Sequence, residues 1–517
     1  MPPTYRLASR DEDQLRHLAE IVAAIAQRGD LIALEGDLGA GKSTFARALI
    51  RRLAANPHED VPSPTFTLVQ SYETPRLAVS HLDLYRLDDP HEVDELGIEH
   101  ALERGIALVE WPERGGDRLP QSRLTIRLTD AVSDTGIDTT RRDIEISGTG
   151  TLAQRAFRLH RIAMLIERTA WSGTGAHVDY LQGDASVRRY AGLTSVAEGR
   201  AVLMDWPRQP DGPPIRHGKP YSAIAHLAED VRPFVAIADA LRDAGIAAPE
   251  IYASDLDAGL LVLEHLGDDV FGRALQDGAS QRELWQAAID VLVHLRGVPA
   301  DRPLAIAGDS GGATWTLPRY DAQAMGIEVE LLADWLYPFA TGTDMPADAR
   351  AEFIDAWQDV IARLGVLPTG WALRDFHSPN LIWRSERQGL DRVGVIDFQD
   401  ALQGPLAYDL VSLTQDARLD VAPALEAELL DYYCAAVRRS EPAFDEAALR
   451  FAYAALGAQR NTKILGIFAR LAKRDGKPVY IQHMPRIWGY LARALAHPEL
   501  AQLRSVYDRH IMALAER

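Results

Sequence analysis

The octapeptide Gly36-Asp37-Leu38-Gly39-Ala40-Gly41-Lys42-Ser43 follows the short apolar run Leu31-Ile32-Ala33-Leu34 and precedes a helical stripe of Phe45, Leu49 and Leu53. A glycine-rich turn between a buried strand and a helix leaves backbone N–H groups facing one point, with the positive end of the helix behind them. That is a cradle for phosphate. The spacing lets Lys42 reach the β- and γ-phosphates and Ser43 offer an oxygen to Mg²⁺, with Gly36 through Thr44 lining the nucleotide. Such a metal needs further oxygens, and an attacking water needs orienting. Asp83 and Glu110 each close an apolar run, Leu77 to Asp83 and Ile106 to Glu110, which places both at strand ends beside the loop. Both are expected to be catalytic, and Glu110 also a metal ligand.

A second constellation lies far downstream. Leu373-Arg374-Asp375-Phe376-His377-Ser378-Pro379-Asn380 is followed by Val395-Ile396-Asp397-Phe398. An Asp, an Asn five residues on and a second Asp at the end of the next apolar strand form the layout of a kinase-like phosphotransferase. There Asp375 takes the proton of the substrate hydroxyl, while Asn380 and Asp397 hold Mg²⁺. His377 reads as a structural residue of that loop. Two strands are expected from Gly183 to Tyr190 and from Arg200 to Met204. Met204 stands where a phosphate-binding Lys would be expected, so Arg188 or Arg189 is expected to supply the missing charge. Glu264 and Leu266 fall where a lobe hinge meets adenine. Arg460, Lys463 and Arg470 either hold a substrate carboxylate or phosphate, or form the solvated face of a helix.

At 517 residues the chain is too long for one ordinary core. Lys and Arg number 55 against 74 Asp and Glu, a formal charge of −19, which disfavours direct strong binding to nucleic acid through its phosphates. One cysteine, Cys434, excludes an internal disulfide. No segment approaches the roughly 18 consecutive apolar residues of a membrane helix. No membrane partner is expected, and the expected location is the cytoplasm.

Ser9-Arg10-Asp11-Glu12 has the form of a capping box ahead of an amphipathic helix over residues 11–28. Leu124–Leu128 and Asp143–Ile146 read as a closing hairpin, and Ser147-Gly148-Thr149-Gly150-Thr151 as a linker. The expected domains are therefore 1–150 and 151–517, the latter with a small lobe over about 155–266 and a helical lobe over about 267–517. The fold class is an α/β P-loop NTPase domain followed by an α+β bilobal kinase-like domain.

The wording around these motifs carries two resemblances. Ser63-Pro64-Thr65-Phe66-Thr67-Leu68, His81-Leu82-Asp83-Leu84-Tyr85-Arg86-Leu87 and Val109-Glu110-Trp111-Pro112-Glu113-Arg114 resemble the TsaE family over residues 1–150. The resemblance implies an ATPase that assists threonylcarbamoylation of tRNA through TsaB- and TsaD-like partners, with Thr65 in a mobile switch near the γ-phosphate. The Asp375 segment with Pro405-Leu406-Ala407-Tyr408-Asp409-Leu410 resembles the aminoglycoside phosphotransferase superfamily, and Asp409 would anchor the catalytic loop. Asp184-Ala185-Ser186, Arg188-Arg189-Tyr190 and the run Gln459 to Lys477 resemble the AmgK-like sugar kinases. That implies ATP- and Mg²⁺-dependent phosphorylation of the anomeric hydroxyl of N-acetylmuramate or N-acetylglucosamine, with Ser186 at the nucleotide. Two alternatives stay open. The first module could be a nucleotide-dependent switch or assembly factor with little intrinsic catalysis, and the second could act on an aminoglycoside, choline or another small alcohol.

Overall fold

The computed structural model describes residues 3–133, 136–172, 175–181, 188–309 and 311–516. The chain divides into two units, Met1–Pro207 with Ile251–His265, and Arg208–Glu250 with Leu266–Arg517. No helix among the described residues is long and apolar enough to cross a membrane.

The first unit is built on strands β1 (Thr4–Arg10), β2 (Leu31–Glu35), β3 (Val69–Tyr72), β4 (Ala78–Asp83), β5 (Gly105–Glu110), β6 (Leu124–Ser133) and β7 (Gly136–Gly148). They form one sheet in the order β1-β7-β6-β2-β5-β4-β3. The four central strands, β6-β2-β5-β4, are parallel and the rest pair antiparallel. β2 and β5 are continuous apolar runs because both faces are covered. Helices α1 (Glu12–Ile25), α2 (Lys42–Ala54) and α3 (Ile98–Arg104) supply cover. The box that starts α1 lies two residues later than the sequence suggested. Asp11 accepts from Gln14 N at 2.9 Å and Gln14 Oε1 from Asp11 N at 3.1 Å. Ser9 is taken up elsewhere, its N–H donating to Asp143 Oδ1 at 2.8 Å. The helix also ends at Ile25 rather than 28, its cap Ala26 being extended.

The expected linker at 147–151 is not slack. β7 runs to Gly148, Thr149 N donates to Arg123 O at 2.9 Å, and a single turn leads into α4 (Ala153–Ile166). Helix α4 belongs to both sheets of the unit. Arg155 contacts Asp30 and Gln27 of the first sheet's loops. One turn on, Arg158 Nε donates to Asp205 Oδ1 at 2.7 Å, and one turn further Arg161 donates to Asp255 Oδ1 at 2.5 Å. Asp205 and Asp255 lie on a second, antiparallel five-stranded sheet. It contains β8 (Ala176–Leu181), β9 (Arg189–Ser195), β10 (Gly199–Asp205), Ile251–Asp255 and Leu260–Glu264. β9 begins at Arg189, later than the strand expected from Gly183; residues 182–187 lie outside the described ones.

One apolar core spans both sheets, from Phe45 and Leu49 of α2 through Leu159 and Ile162 of α4 to Leu193, Leu203 and Val262. Polar contacts repeat the connection. Arg52, near the end of α2, donates to Val178 O at 2.8 Å, and Glu20 of α1 accepts from Val178 N at 3.2 Å. Compactness therefore does not break near residue 150, because α1, α2 and α4 bury faces against both sheets.

The second unit is mainly helical, with Arg232–Asp243, Gln281–Leu295, Ala347–Leu364, Pro423–Ser440, Glu446–Lys473 and Met484–Leu495 its longest helices. Two small antiparallel ladders frame the downstream motifs: Thr369–Ala372 with Leu402–Pro405, and Leu381–Trp383 with Val393–Val395.

Candidate functional sites

In the first unit the Gly36–Ser43 turn joins β2 to α2 at the carboxyl end of the parallel strands, where such sheets place ligands. Gly36 has φ +144, and a Cβ there would lie 2.4 Å from Leu128 O; Gly41, at φ +105, turns the chain into α2. Asp37, Leu38 and Gly39 are exposed on the crown of the loop, Ala40 and Lys42 are buried, and Ser43 and Thr44 are half-buried. Arg142 supports the loop from behind, donating to Ala40 O at 2.9 Å and Gly39 O at 3.1 Å. Lys42 Nζ folds back onto Gly36 O at 2.6 Å and Asp37 O at 2.9 Å and sits 3.6 Å from the centre of the Trp111 ring. Burial lowers its pKa, opposed by Glu110, Glu113, Asp83 and Asp37.

The register pairs Asp83 of β4 with Glu110 of β5, so the two carboxylates end adjacent strands. Ser43 Oγ donates to Glu110 Oε2 at 3.0 Å. A hydroxyl and a carboxylate brought together at a strand end fit a hard cation that keeps several of its waters. Asp83 takes a different part. Its Oδ2 accepts from Ser63 Oγ at 2.8 Å and Thr65 Oγ1 at 2.7 Å, and its Oδ1 from Tyr85 N at 3.0 Å. Asp83 thus ties down the Ser63–Thr67 segment, whose Phe66 is 82% exposed. Sequence reasoning gave His81 no role. It is buried, and its Nε2 lies 2.9 Å from Glu110 Oε1, fixing the carboxylate from the side opposite Ser43. The signal was a histidine two residues before Asp83 on a buried strand, the same face by β periodicity.

In the second unit Asp375 sits in a tight turn, its N–H donating to Leu373 O at 2.9 Å and its carbonyl accepting from Asn380 Nδ2 at 3.0 Å. The same Asn380 Nδ2 lies 3.3 Å from Asp397 Oδ2, and Gln399 Nε2 donates to Asp397 Oδ1 at 3.1 Å. Asp397 adopts φ +63 two residues past the strand Val393–Val395. The fold thus gathers Asp375, Asn380 and Asp397, and the side-chain oxygens of the last two suit a divalent cation on the same grounds as at the first site. Asp409 receives the N–H groups of Leu373 at 2.5 Å and Arg374 at 2.9 Å, the expected anchor. Burial pushes its carboxyl up to about 7, with the charge of Asp375 adding to the shift. His377 is held 4.0 Å from Asp375 Oδ1, and burial lowers its pKa.

Behind this loop lies a cluster that sequence reasoning missed. Glu328, fully buried, contacts Arg374 and accepts from Lys463 Nζ at 2.9 Å, Tyr320 OH at 2.5 Å and Gln459 Nε2 at 3.0 Å. Burial disfavours its charge, but Lys463 and Arg374 overcome that and hold the carboxyl at about 2. The available signal was an ionisable residue inside the apolar helix Ala322–Leu331, whose next turn is a π-helix, Leu332–Leu336.

Of the remaining sequence-stated residues, Arg189 donates to Asp205 Oδ2 at 2.6 Å, beside Arg158 on the same carboxylate. Arg188 lies 5.1 Å from the Trp206 ring centre, and Met204 is buried in the sheet. Glu264 ends its strand, and Leu266 packs on Gly394. Ser186 lies outside the described residues.

Taken together, the fold and the two sites define a phosphate-loop ATPase joined in one chain to a kinase-like phosphotransferase. The family model described as "Threonylcarbamoyl adenosine biosynthesis protein TsaE" matches residues 9–141, and that described as "Phosphotransferase enzyme family" matches residues 177–451. The N-acetylmuramate/N-acetylglucosamine kinase of Caulobacter vibrioides is 40% identical over 340 residues, 64% of this chain and 91% of that protein. Its counterpart from Pseudomonas aeruginosa is 34% identical over 329 residues, 62% of this chain and 84% of that protein. The tRNA threonylcarbamoyladenosine biosynthesis protein TsaE of Rickettsia bellii is 38% identical over 117 residues, 23% of this chain and 81% of that protein. The chain belongs to the TsaE family through its N-terminal part and to the phosphotransferase enzyme family through the rest.

Proposed function

We propose that this is a bifunctional enzyme with inherited modules at 1–150 and 151–517. The first hydrolyses ATP with Mg²⁺ in support of threonylcarbamoyladenosine formation in tRNA, working on TsaB- and TsaD-like partners that handle the nucleic acid. In this reading Lys42 and the loop N–H groups grip the phosphates, Ser43 and Glu110 hold the cation, and Asp83 sets the Thr65 segment beside the γ-phosphate.

The second module phosphorylates the anomeric hydroxyl of N-acetylmuramate and N-acetylglucosamine. Asp375 accepts the proton as the sugar oxygen bonds to the γ-phosphorus and the bond to the bridging oxygen breaks. Asn380 and Asp397 hold the cations that neutralise the phosphates. The observation that carries the substrate is the 40% identity across 91% of the Caulobacter kinase. The test is ATP-dependent phosphorylation of a panel of N-acetylmuramate, N-acetylglucosamine, choline and kanamycin by wild type, Asp375→Ala and Lys42→Ala. Sugar 1-phosphate is expected from wild type and Lys42→Ala and not from Asp375→Ala; turnover of choline or kanamycin alone overturns the substrate.

A further inference from the structure

The two proposed sugars differ by one charged group, the lactyl carboxylate that N-acetylmuramate carries and N-acetylglucosamine lacks. A kinase that discriminates them needs a cation beside the acceptor that no protein carboxylate consumes.

The long helix Glu446–Lys473 offers three basic candidates, and the structure separates them. Arg460 is buried one turn from Lys463, its NH1 3.4 Å from Gln415 O, and its charge acts on His377 and Asp409. Lys463 and Arg470 are seven residues apart, two turns along one face. Lys463 shares Glu328 with Arg374, so two cations contact one carboxylate, and Asp400 acts on Arg374 as well. Among the described residues Arg470 forms no ion pair within 4 Å, the neighbouring Asp475 being paired with Arg474, and its buried Nε has no hydrogen-bond partner. Burial lowers its pKa, opposed by Tyr221 and by Asp475 and reinforced by Arg474.

Tyr221 lies beside Arg470. Its ring centre lies 5.7 Å from the Arg470 guanidinium carbon, and the charge of Lys463 acts on its hydroxyl. Tyr221 starts a short helix, Tyr221–Ile224, that follows the Pro214–Pro220 hairpin. This roof is fixed to helix Ala322–Leu331 through Ile224, Ala225 and Ile327, and through Arg216, which donates to Glu330 Oε2 at 2.7 Å. It is fixed to the loop that carries Asp375 as well, since Arg374 NH1 donates to Ala225 O at 2.8 Å. An aromatic ring, a guanidinium whose Nε has no hydrogen-bond partner and the Lys463–Glu328–Arg374 cluster therefore share one frame with the proposed base.

The geometry points to a carboxylate subsite: Arg470, backed by Lys463 and roofed by Tyr221, binds the carboxylate of an acidic amino sugar and sets the preference for N-acetylmuramate over N-acetylglucosamine. This rests on the sugar-kinase reading and deepens it. A charge-assisted hydrogen bond of this kind is worth roughly 10- to 100-fold in affinity.

The test measures kcat and KM of wild type, Arg470→Met and Arg470→Lys with N-acetylmuramate, its neutral carboxamide and N-acetylglucosamine. For Arg470→Met the KM for N-acetylmuramate is expected to rise about 10- to 100-fold with little change in kcat, and the KM for N-acetylglucosamine to move less than about threefold. Arg470→Lys is expected to recover part of the loss. Wild type alone gives an independent reading, because its KM for the carboxamide should exceed that for the acid by a similar factor. Equal loss on both sugars, or a wild type indifferent to the carboxamide, overturns the subsite and leaves the kinase standing. A wild type that phosphorylates none of the three overturns the sugar-kinase reading itself.

Discussion

Arg374 stands directly before Asp375 with its backbone at φ +73, and its guanidinium is clamped to the fully buried Glu328. A non-glycine residue in the left-handed region costs of order 1 kcal/mol, so the turn persists because its surroundings over-determine it. Here Asp409 takes the Arg374 N–H, Ala225 O takes one guanidinium nitrogen and Glu328 takes another. The position of Asp375 is thus set by a side chain that points away from it.

Replacing Glu328 with Gln should strip the charge from beneath Arg374 and Lys463. Breaking a buried pair by removing one partner typically costs about 3–5 kcal/mol. Urea unfolding followed by tryptophan fluorescence should show a loss of that order. Sugar phosphorylation should fall further than the fraction unfolded explains, since Asp375 loses its support.

Two buried carboxyls give the second unit opposite responses to pH. The Glu328 carboxyl is depressed from 4.5 to about 2, so its contribution is complete above about 4.5 and is lost as pH falls toward 2. Asp409 is raised from 3.8 to about 7, so the folded state holds its proton more tightly and stability falls as pH rises across that window. Denaturant midpoints between pH 3 and 8 should show both slopes. Asp409→Asn should flatten the decline above pH 4 and leave the acid limb in place.

At the first site, Glu110→Gln is expected to lower ATP hydrolysis by about 10²- to 10³-fold, the scale seen when one electrostatic contact to a transition state is lost. His81→Phe keeps the bulk on β4 but removes the fixing contact to Glu110, and should cost less, on the order of tenfold. Phosphate release assays with partners present check both. Sugar phosphorylation in the same variants should change less than twofold.

Gly466→Ala reverses the usual expectation for a helix. In an exposed helix the change would stabilise by about 1 kcal/mol. At Gly466 a Cβ would lie 2.4 Å from the carbonyl carbon of Leu331, backbone against backbone, just where the π-turn begins. The expected result is destabilisation of about 2–3 kcal/mol by overpacking, read as a lower thermal midpoint.

Local signals carried what could be read from the sequence, and long-range contacts carried the rest. The phosphate loop, the strands ending at Asp83 and Glu110, and the Asp375–Asn380–Asp397 layout all depend on spacing within some tens of residues. Glu328 and Arg374 are 46 residues apart and meet only when two helices and a loop close on each other. His81 was visible as a residue of a motif, but its contact with Glu110 needed the parallel register of β4 and β5. The start of α1 was misplaced because Ser9 had a stronger partner in Asp143, distant in sequence. The shared core of the first unit had no local signature, since α4 has an ordinary amphipathic pattern whichever sheet it covers.

That shared core ties the fates of two chemistries together. A mutation that loosens α4 exposes apolar surface on the ATPase side and the kinase side in one event, so proteolytic clearance of the damaged chain would remove both activities in equal measure. Both modules stand on one chain, so its synthesis and its turnover change their abundance together.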